Sequence, residues 1–431
     1  MQWLKNTFKH LPVAILVNLI YWFPARKMNL IGITGTDGKT TVSLLIHHIL
    51  NYIGINTGLI STIETKIKNL TIPTGLHVTS PHPFKLQKFL KMMLKNDIQW
   101  VVLETTSHGL DQHRFWGLKF KIGILTNLSH EHLDYHKTFV SYLDSKLKLF
   151  QNSEIAIINK DDPSYTKVAD RLKKMKKKMI TFAIKNAADL KAEKIKLTPR
   201  GTNFLLSYNL HRRENKILIS SPLIGEFNVL NQLAAIGAVL TTGLADLTQV
   251  KEAIEKFLPP KGRMEEIPNN RGIKIIIDFA HTPNGLQQVL STFRKVYPSK
   301  RLIVVFGCAG LRDIQKRPIM GKIAAQLADI LVLTSEDPRT ENPLTIIQQI
   351  AQGCRQAGIK RLSTKKEYFN QKGYYILENR QQAINFAIRN LAKEQDIVLL
   401  CGKGHEKSIC YGKTEYPWSE HQAVKIALKQ K

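Results

Sequence analysis

Cysteine is scarce in this sequence. The 431 residues contain four cysteines, Cys308, Cys354, Cys401 and Cys410, and no two of them have C-x-x-C spacing. The absence of this spacing argues against a structural zinc site and against a disulfide framework. The sequence therefore favours a reducing compartment, and we expect a cytoplasmic protein.

The amino-terminal region lacks an apolar run of membrane-spanning length. Its most apolar stretch, Leu11 to Phe23, is flanked by Lys9 and Arg26, and it is shorter than the roughly 20 residues that a spanning helix requires. No small-residue cleavage site follows, which argues against a secretory signal. Two interpretations stay open: a helix packed on the first domain, or a helix attached weakly to a membrane surface.

Acidic residues are outnumbered. Lys and Arg total 63 against 34 Asp and Glu, which gives a formal net charge of +29. Such an excess would attract polyanions, but a protein with many solvated surface lysines and no polyanionic partner has the same net charge. The densest basic run, Lys173 to Lys178, lacks interleaved aromatic residues and is interpreted as the outer face of a helix. Because no helix-turn-helix pattern occurs either, nucleic acid is not expected as a partner.

The remaining composition is that of a globular protein with two or three domains, with 43% hydrophobic and 23% charged residues. Strand-like runs alternate with helical ones, which predicts an α/β fold. We expect a central mononucleotide-binding domain with a mostly parallel sheet, followed by a Rossmann-like α/β domain. The predicted divisions are an apolar helix or linker at 1–28, the central domain at 29–260 and the carboxyl-terminal domain at 261–431.

Individual strands are predicted from these runs. In the central domain they are Asn29–Thr34, Trp100–Glu104, Ile122–Thr126 and Ile155–Asn159, with antiparallel edge strands at Asn203–Tyr208 and Lys216–Ser220. A long apolar helix is expected from Phe227 to Leu244. In the second domain the expected strands are Ile273–Phe279, Arg301–Phe306, Ile330–Thr334 and Ile397–Cys401.

A phosphate-binding loop lies between the first strand and the first long helix. Its residues are Gly35-Thr36-Asp37-Gly38-Lys39-Thr40-Thr41. Glycines let backbone N–H groups turn toward phosphate oxygens, and the helix amino terminus adds partial positive charge. Lys39 can reach the β- and γ-phosphates, and the Thr40 hydroxyl can bind Mg²⁺. The spacing is one residue short of the general pattern, but the context predicts ATP and Mg²⁺ as cofactors.

This loop closely resembles the G-T-[ND]-G-K-T-T loop of Mur ligases and folylpolyglutamate synthetases. Glu104 to Arg114 (ETTSHGLDQHR) and Thr126 to His136 (TNLSHEHLDYH) are similar to segments of the Mur ligases that add the third residue of the peptidoglycan stem peptide. Tyr142 to Phe150 carries the Y-x-x-x-K-x-x-L-F pattern of the same group. Further similar segments follow in the family's order: Gly262–Glu265, Asp278–Pro283, Arg312–Pro318, Glu336–Arg339 and Gly402–Glu406.

The resemblance implies an ATP-dependent ligase that acts as a monomer. It would join a diamino acid to UDP-N-acetylmuramoyl-L-alanyl-D-glutamate through an acyl phosphate. The amino acid would bind the carboxyl-terminal domain, where Arg339 favours meso-diaminopimelate because that substrate has a second carboxylate. L-lysine remains the alternative.

The resemblance also assigns roles to individual residues. For the nucleotide they are Gly35, Thr36, Asp37, Gly38, Lys39, Thr40, Thr41, Asn228, Asn231, Arg263, Asp278 and His281. For the two other substrates they are Thr79, Ser80, Thr106, Gln112, Arg114, Arg312, Glu336, Asp337, Pro338, Arg339, Gly402 and Glu406. The expected catalytic residues are Lys39, His132, Lys146 and Arg312. Thr40 and Glu104 would bind one Mg²⁺, and His132 and a carbamylated Lys146 would bind a second.

The region ahead of the phosphate loop departs from the family's pattern. The family carries a domain ahead of the phosphate loop that holds the UDP moiety, whereas here the loop begins at Gly35, so we expect most of that domain to be absent. A ligase for another acceptor, such as a lipid-linked cell-wall precursor, is the alternative function. A folate ligase fits less well, because Ser107 to Arg114 follows the muramyl-peptide pattern.

Overall fold

The computed structural model describes residues 6–73, 80–129, 131, 133–210, 213–363, 365 and 370–429. The chain divides into two units, Met1–Leu258 and Pro259–Lys431. The division falls at the start of the Pro259-Pro260-Lys261-Gly262 stretch, where two consecutive prolines disfavour regular structure.

The described strands of the first unit form one eleven-stranded sheet. In chain order they are β1 (Asn29–Thr34), β2 (Thr57–Ile60), β3 (Glu64–Ile67), β4 (Leu70–Pro73), β5 (Trp100–Glu104), β6 (Phe120–Leu125), β7 (Ser153–Asn159), β8 (Lys178–Ala183), β9 (Leu190–Thr198), β10 (Gly201–Leu210) and β11 (Arg213–Ser221). Their spatial order is β11-β10-β9-β8-β7-β6-β1-β5-β2-β3-β4. In this spatial order the seven strands β9-β8-β7-β6-β1-β5-β2 are parallel to one another. The pairs outside them, β11-β10-β9 at one edge and β2-β3-β4 at the other, are antiparallel.

Helices cover both faces of this sheet. They are α1 (Leu11–Tyr21), α2 (Lys39–Tyr52), α3 (Pro83–Lys95), α4 (Ser107–Asp111), α5 (Leu133–His136), α6 (Phe139–Gln151), α7 (Tyr165–Lys174), α8 (Glu226–Thr242) and α9 (Leu247–Glu255). One core contains side chains of α2, α8 and α9, and the other contains side chains of α3, α6 and α7. Because β1 is covered on both faces, its sequence is a continuous apolar run rather than an alternating one.

The amino-terminal segment packs on α3. A short π-helical turn (Asn6–His10) precedes α1, and a 3₁₀ turn (Pro24–Lys27) follows it. Ala14 and Val17 are the buried apolar residues of α1. In the part of the chain that the structure describes, no helix combines the length and the apolar character needed to cross a bilayer.

The second unit is built on a six-stranded sheet within its described residues. Its strands are β12 (Glu265–Ile267), β13 (Lys274–Asp278), β14 (Leu302–Phe306), β15 (Ile330–Leu333), β16 (Gly373–Ile376) and β17 (Ile397–Cys401), in the order β12-β13-β17-β14-β15-β16. All neighbours are parallel except β12, and β18 (Ser408–Tyr411) and β19 (Thr414–Pro417) form a separate hairpin. The helices are α10 (Pro283–Val296), α11 (Lys316–Leu327), α12 (Pro343–Gln356), α13 (Arg380–Asn385), which continues as a π-helix (Phe386–Leu391), and α14 (Glu420–Lys429).

The predicted fold class is confirmed: a mostly parallel sheet in the first unit and a second α/β sheet in the other. The interpretation of Lys173 to Lys178 as one helix face is wrong. The helix α7 ends at Lys174, and the strand β8 begins at Lys178. A turn with Lys176 in the left-handed region separates them, so this basic run changes direction instead of lining one face.

Candidate functional site

The phosphate-loop sequence forms a tight turn between β1 and α2. Gly35 and Gly38 have φ angles of +152° and +83°, which glycine adopts without steric cost. A side chain at Gly38 would also collide with the Asn231 amide oxygen, and one at Gly35 with the Thr126 hydroxyl. The Lys39 ammonium donates hydrogen bonds to the carbonyls of Gly35 (3.0 Å) and Thr36 (2.8 Å), so it lies over the loop.

The segment after β6 braces this loop. The Asn127 side chain accepts a hydrogen bond from the Asp37 N–H (2.9 Å) and donates one to the Asp37 carbonyl (3.1 Å). The Thr126 hydroxyl donates to the same carbonyl at 2.6 Å. The Thr36 hydroxyl accepts a hydrogen bond from the Ser129 N–H at 3.0 Å. The loop conformation is therefore fixed by the segment after β6. The N–H groups of Thr36 and Asp37 already donate to Asn127, so an anion would be bound by other N–H groups of the loop.

A hydroxyl and a carboxylate meet at the start of α2. The Thr40 hydroxyl lies 3.3 Å from Glu104 Oε2, at the end of β5. The Thr62 hydroxyl donates to the same oxygen at 2.8 Å, and its N–H donates to Glu104 Oε1 at 3.2 Å. Glu104 is fully buried. These oxygen atoms are the type of ligand that Mg²⁺ prefers.

Lys146 is buried beneath the phosphate loop. Its ammonium nitrogen donates to the Gly35 carbonyl at 2.7 Å and lies 4.5 Å from the centre of the Tyr142 ring. Only 1% of the residue is exposed. Burial, together with the nearby charge of Lys39, holds the pKa of the Lys146 amine well below its ordinary value. The amine is therefore available in its neutral, nucleophilic form at a lower pH than an exposed lysine.

Two asparagines of α8 contact each other, and one of them lies against the loop. Asn228 and Asn231 are both buried, and the Asn231 amide donates to Asn228 Oδ1 at 3.1 Å. The Asn228 amide donates to the Ile224 carbonyl at 2.9 Å. Asn231 approaches Gly38 closely, so the structure brings this predicted nucleotide residue next to the phosphate loop.

Four predicted substrate residues form one network beside β5. The Ser80 hydroxyl is 2.8 Å from the Thr106 hydroxyl, which also caps α4 by accepting from the Gly109 N–H. The Arg114 guanidinium donates to Gln112 Oε1 at 2.7 and 3.1 Å and to the Ser80 carbonyl. Arg114 is thus held in one orientation. Thr79 and His132, which were also predicted, lie outside the described residues.

The predicted residues of the second unit follow the carboxyl ends of its strands. Asp278 ends β13, and its carboxylate accepts hydrogen bonds from the N–H groups of Met264 and Ala280, both at 2.7 Å. The Arg263 guanidinium lies 4.4 Å from the centre of the Phe279 ring. His281 Nδ1 is 2.9 Å from the Phe279 carbonyl. Asp278, Arg263 and His281 are therefore neighbours within this unit.

A charged cluster lies after β15 and β17. The fully buried Lys403 ammonium contacts Asp337 Oδ1 (2.9 Å) and Glu406 Oε2 (2.5 Å). Burial by itself lowers the pKa of Lys403, but Glu406 and Asp337 outweigh it and raise that pKa. Burial and the adjacent Asp337 raise the pKa of Glu336 to about 7. Among the described residues, Glu336 Oε2 has no hydrogen-bond partner, and Gly402 packs against it.

The other predicted residues of this unit surround the same edge. The backbone of Arg339 pairs with β18, through its N–H to Cys410 (3.0 Å) and its carbonyl to Gly412 (2.7 Å). Arg339 has a φ of +55° and a half-buried side chain. Pro338 is buried against Gly310, in the loop after β14. Arg312 follows in that loop and is half-buried.

Several residues in this geometry were not predicted to belong to the site. Thr62, Asn127 and Tyr142 fix the loop and its acidic partner, and Lys403 neutralises the carboxylates of the second unit. His405 is also buried there, where burial and Arg263 lower its pKa to about 3. All of them except Thr62, which follows β2, lie inside segments that the sequence analysis had identified. The sequence did not indicate which residue of each segment points into the site.

Comparison with known proteins identifies the family. The model of the Mur ligase middle domain matches residues 33–239, and that of the Mur ligase, glutamate ligase domain matches residues 262–404. The UDP-N-acetylmuramoyl-L-alanyl-D-glutamate--2,6-diaminopimelate ligase 1 of Clostridium acetobutylicum is 39% identical over 97% of this chain and 82% of its own length. The Clostridium botulinum ligase of the same name is 38% identical over 97% of this chain and 81% of its own.

Solved structures of Mur ligases are also similar to this chain. A structure of a UDP-N-acetylmuramoyl-L-alanyl-D-glutamate--2,6-diaminopimelate ligase is similar with a TM-score of 0.62 and 31% identity, covering 93% of this chain and 78% of that one. MurF from Acinetobacter baumannii has the same fold, with a TM-score of 0.71 at 17% identity, over 97% of this chain and 80% of that one. This chain belongs to the Mur ligase family and is an ATP-dependent ligase that forms amide bonds.

Proposed function

We propose that this enzyme joins meso-diaminopimelate to UDP-N-acetylmuramoyl-L-alanyl-D-glutamate in peptidoglycan synthesis. The observation that carries the proposal is the 39% identity, over 97% of the chain, to a ligase named for these substrates. The charged cluster after β15 and β17 supports it. Glu406 would bind a cationic amine of the diamino acid, and the Arg339 guanidinium would bind its second carboxylate.

The reaction has two steps. The terminal carboxylate of the dipeptide attacks the γ-phosphorus of ATP, which yields an acyl phosphate and ADP. The amine of the diamino acid then attacks the acyl carbon, loses a proton and displaces phosphate. The protein's task is to position these groups and to neutralise charge on the transferring phosphoryl group. Lys39 would perform the second task together with the loop N–H groups other than those of Thr36 and Asp37, which donate to Asn127.

The first magnesium ion fits the residues at the start of α2. Thr40 and Glu104 contribute a hydroxyl and a carboxylate oxygen that already lie 3.3 Å apart, and both are hard ligands. When bound there, Mg²⁺ supplies charge neutralisation for the phosphates. We assign a second ion to His132 and Lys146.

Lys146 can serve that second ion only after modification, because an ammonium group repels a cation. Reaction of the neutral amine with carbon dioxide forms an N–C bond, releases a proton and leaves a carbamate, which has carboxylate-like oxygens. The supporting observation is that Lys146 is buried at the loop and has a depressed pKa. Carbamylation of Lys146 is part of the proposal.

The remaining residues bind the other parts of the substrates. Ser80, Thr106, Gln112 and Arg114, together with Thr79, are proposed to hold the UDP-sugar dipeptide. Arg114 is already oriented by Gln112, so little side-chain entropy is lost when it pairs with a substrate carboxylate or phosphate. Asn228, Asn231, Arg263, Asp278 and His281 are proposed nucleotide contacts. The proposed amino-acid contacts are Arg312, Glu336, Asp337, Pro338, Arg339, Gly402 and Glu406.

Phosphate release from ATP tests the reaction. The assay compares meso-diaminopimelate with L-lysine, each with and without the UDP-N-acetylmuramoyl dipeptide. We expect release that requires the dipeptide and is much faster with meso-diaminopimelate than with L-lysine. Release with L-lysine instead would reassign the amino acid. No release with either, from folded protein that binds ATP, would overturn the proposed acceptor and favour another cell-wall precursor.

The variant Arg339→Ala tests the carboxylate contact. Loss of a charged hydrogen-bonded pair costs about 1.5–3 kcal/mol, so kcat/KM for meso-diaminopimelate should fall about 10- to 100-fold. Activity toward L-lysine, which has no second carboxylate, should not fall further. Arg361→Ala, at an exposed position of the same unit, is the matched control. An equal loss with both amino acids would assign Arg339 to another role.

A further inference from the structure

The helix α1 buries small side chains and a polar one, Ala14, Val17 and Asn18, and exposes larger apolar ones. Asn18 is 2% exposed; its amide donates to the Trp116 carbonyl at 3.0 Å, and Gln87 donates to its side-chain oxygen at 3.1 Å. Leu16, Leu19 and Ile20, by contrast, are 55%, 56% and 51% exposed. Helices of water-exposed surfaces show the opposite arrangement. The outward side of α1 is therefore an apolar surface.

Aromatic residues extend this face at both ends of the helix. Phe8 is 73% exposed and Trp22 is 86% exposed. Trp22 and Phe23 have φ angles of +57° and +50°, a conformation that bulky residues rarely adopt. Arg26 lies 4.0 Å over the Phe23 ring. We define the apolar ridge as the exposed residues Phe8, Leu16, Leu19, Ile20 and Trp22.

Exposed cations lie on the elements next to the apolar ridge. The cationic rim consists of six exposed residues from α1's flanks and the adjacent helix α3: Lys9, Arg26, Lys27, Lys88, Lys91 and Lys95. The sequence has no acidic residue from Met1 to Thr36, and none from Thr65 to Asn96. The nearby carboxylate of Asp111, which accepts from Asn6, is neutralised by Lys148 at 2.7 Å. This part of the surface therefore combines exposed apolar side chains with an excess of exposed cations.

We propose that this surface docks the enzyme on an anionic lipid bilayer. The apolar ridge would enter the boundary between headgroups and acyl chains, where Trp is enriched. The cationic rim would contact lipid phosphates, and each such Lys or Arg adds attraction to an anionic surface. A second copy of the chain fits less well, because a two-fold interface would bring twelve like charges together. The proposal does not depend on which amino acid the enzyme adds.

Vesicle co-sedimentation of the full chain tests the docking. The vesicles contain phosphatidylcholine alone or an equimolar mixture with phosphatidylglycerol. We expect binding to the mixed vesicles that falls with added salt, and at least tenfold weaker binding to phosphatidylcholine. The double variant Leu19→Glu/Trp22→Glu should lose at least tenfold in affinity for mixed vesicles. The matched control Val140→Glu/Leu218→Glu adds the same charge at exposed apolar positions outside the ridge, and it should bind nearly as wild type does.

Three results would overturn the proposal. One is equal binding of the two double variants, which would make the effect one of net charge. Another is equal binding to both kinds of vesicle. The third is the absence of vesicle binding. A dimer, detected by sedimentation velocity, that Leu19→Glu/Trp22→Glu disrupts would in that case assign the ridge to self-association. Unchanged thermal unfolding midpoints of the variants would show that they are folded.

Discussion

At the scale of single residues, the buried Lys146 is the most informative side chain. Its sequence position marks it as a helix lysine, and only the burial of that position against Gly35 gives its amine an unusual environment. The acceptor of its hydrogen bond is a neutral carbonyl, and burying a cation beside a neutral group is energetically unfavourable. Carbamylation would convert it into an anion next to Lys39, whose positive charge adds to the effect of burial in lowering the pKa of the Lys146 amine.

The variant Lys146→Met should remove the second metal ligand while retaining the packing against Tyr142. We expect kcat/KM to fall at least 100-fold, or about 2.7 kcal/mol of transition-state stabilisation. Added acetate or formate should restore part of the activity, since it supplies a carboxylate in the space left by the carbamate. The control Lys121→Met removes an exposed lysine paired with Glu154 and should be nearly neutral.

Carbon-13 NMR of the enzyme in labelled bicarbonate tests the modification directly. The wild-type enzyme should show a carbamate resonance that Lys146→Met lacks. A fully active wild-type enzyme without this resonance, or a fully active variant, would contradict the assignment.

The raised pKa of Glu336 predicts a pH dependence of stability. The pKa rises from 4.5 to about 7 on folding, so the folded state prefers the protonated form. The stabilisation is complete below pH 4.5 and is lost as pH rises through 7. One pKa unit corresponds to about 1.4 kcal/mol, so the loss is about 3 kcal/mol.

Glu336→Gln should therefore be as stable as wild type below pH 4.5 and more stable by about 3 kcal/mol above pH 7. Denaturant unfolding at a series of pH values measures the difference. Glu266→Gln, at an exposed position of the same unit, should show no such trend. A Glu336→Gln variant that is less stable than wild type at pH 8 would mean that the carboxylate is ionised and stabilising.

At the scale of elements, the phosphate loop is held by the helix α8 as well as by its own glycines. Gly38 has a positive φ, and Asn231 occupies the space where its side chain would lie. These are separate penalties: the first is a backbone strain of about 1–3 kcal/mol, and the second is a steric clash that a smaller residue at position 231 would relieve.

Gly38→Ala should lower both the unfolding free energy and the affinity for ATP. The double variant Gly38→Ala/Asn231→Ala should recover part of the stability, because the clash is gone and only the strain remains. A double-mutant cycle by denaturant unfolding gives the coupling energy, which we expect to be about 1 kcal/mol and favourable. If the two substitutions lower the unfolding free energy additively, the Asn231 side chain moves aside without cost, and backbone strain alone explains the stability lost in Gly38→Ala.

The sequence predicted the long buried strands better than the short ones. Asn29–Thr34, Trp100–Glu104 and Ile397–Cys401 were predicted to the residue, because a strand covered on both faces is a continuous apolar run. The strands β2 to β4, of four residues each, give too short a pattern to be recognised. Lys178 begins β8 although it ends a run of lysines; tertiary pairing with β7 overrides the local composition there.

The candidate site was predictable only to the level of segments. Glycines and a lysine after a strand identify the loop itself, but not the Asn127 and Tyr142 side chains that fix it. Those contacts join residues about 90 to 106 positions apart, and no local pattern records them. Lys403 is similar: its burial between Asp337 and Glu406 depends on two different strand ends.

At the scale of the whole molecule, the net charge of +29 lowers the stability of the folded state as well as attracting polyanions. Like charges repel more strongly in the compact state than in the unfolded chain. Salt screens this repulsion, with a Debye length of about 30 Å at 0.01 M and about 10 Å at 0.1 M. Raising NaCl from about 0.01 M to about 0.3 M should therefore raise the unfolding midpoint.

A charge-changing variant separates this repulsion from other effects of salt. Lys174→Glu/Lys178→Glu lowers the net charge by four at exposed positions and should raise the midpoint in low salt, whereas Lys174→Gln/Lys178→Gln should raise it about half as much. The three midpoints should converge in 0.3 M NaCl, because screening removes the term on which they differ. Calorimetry at both salt concentrations measures them. Midpoints that keep their spacing in high salt would mean that local contacts of these lysines matter and that the overall charge does not.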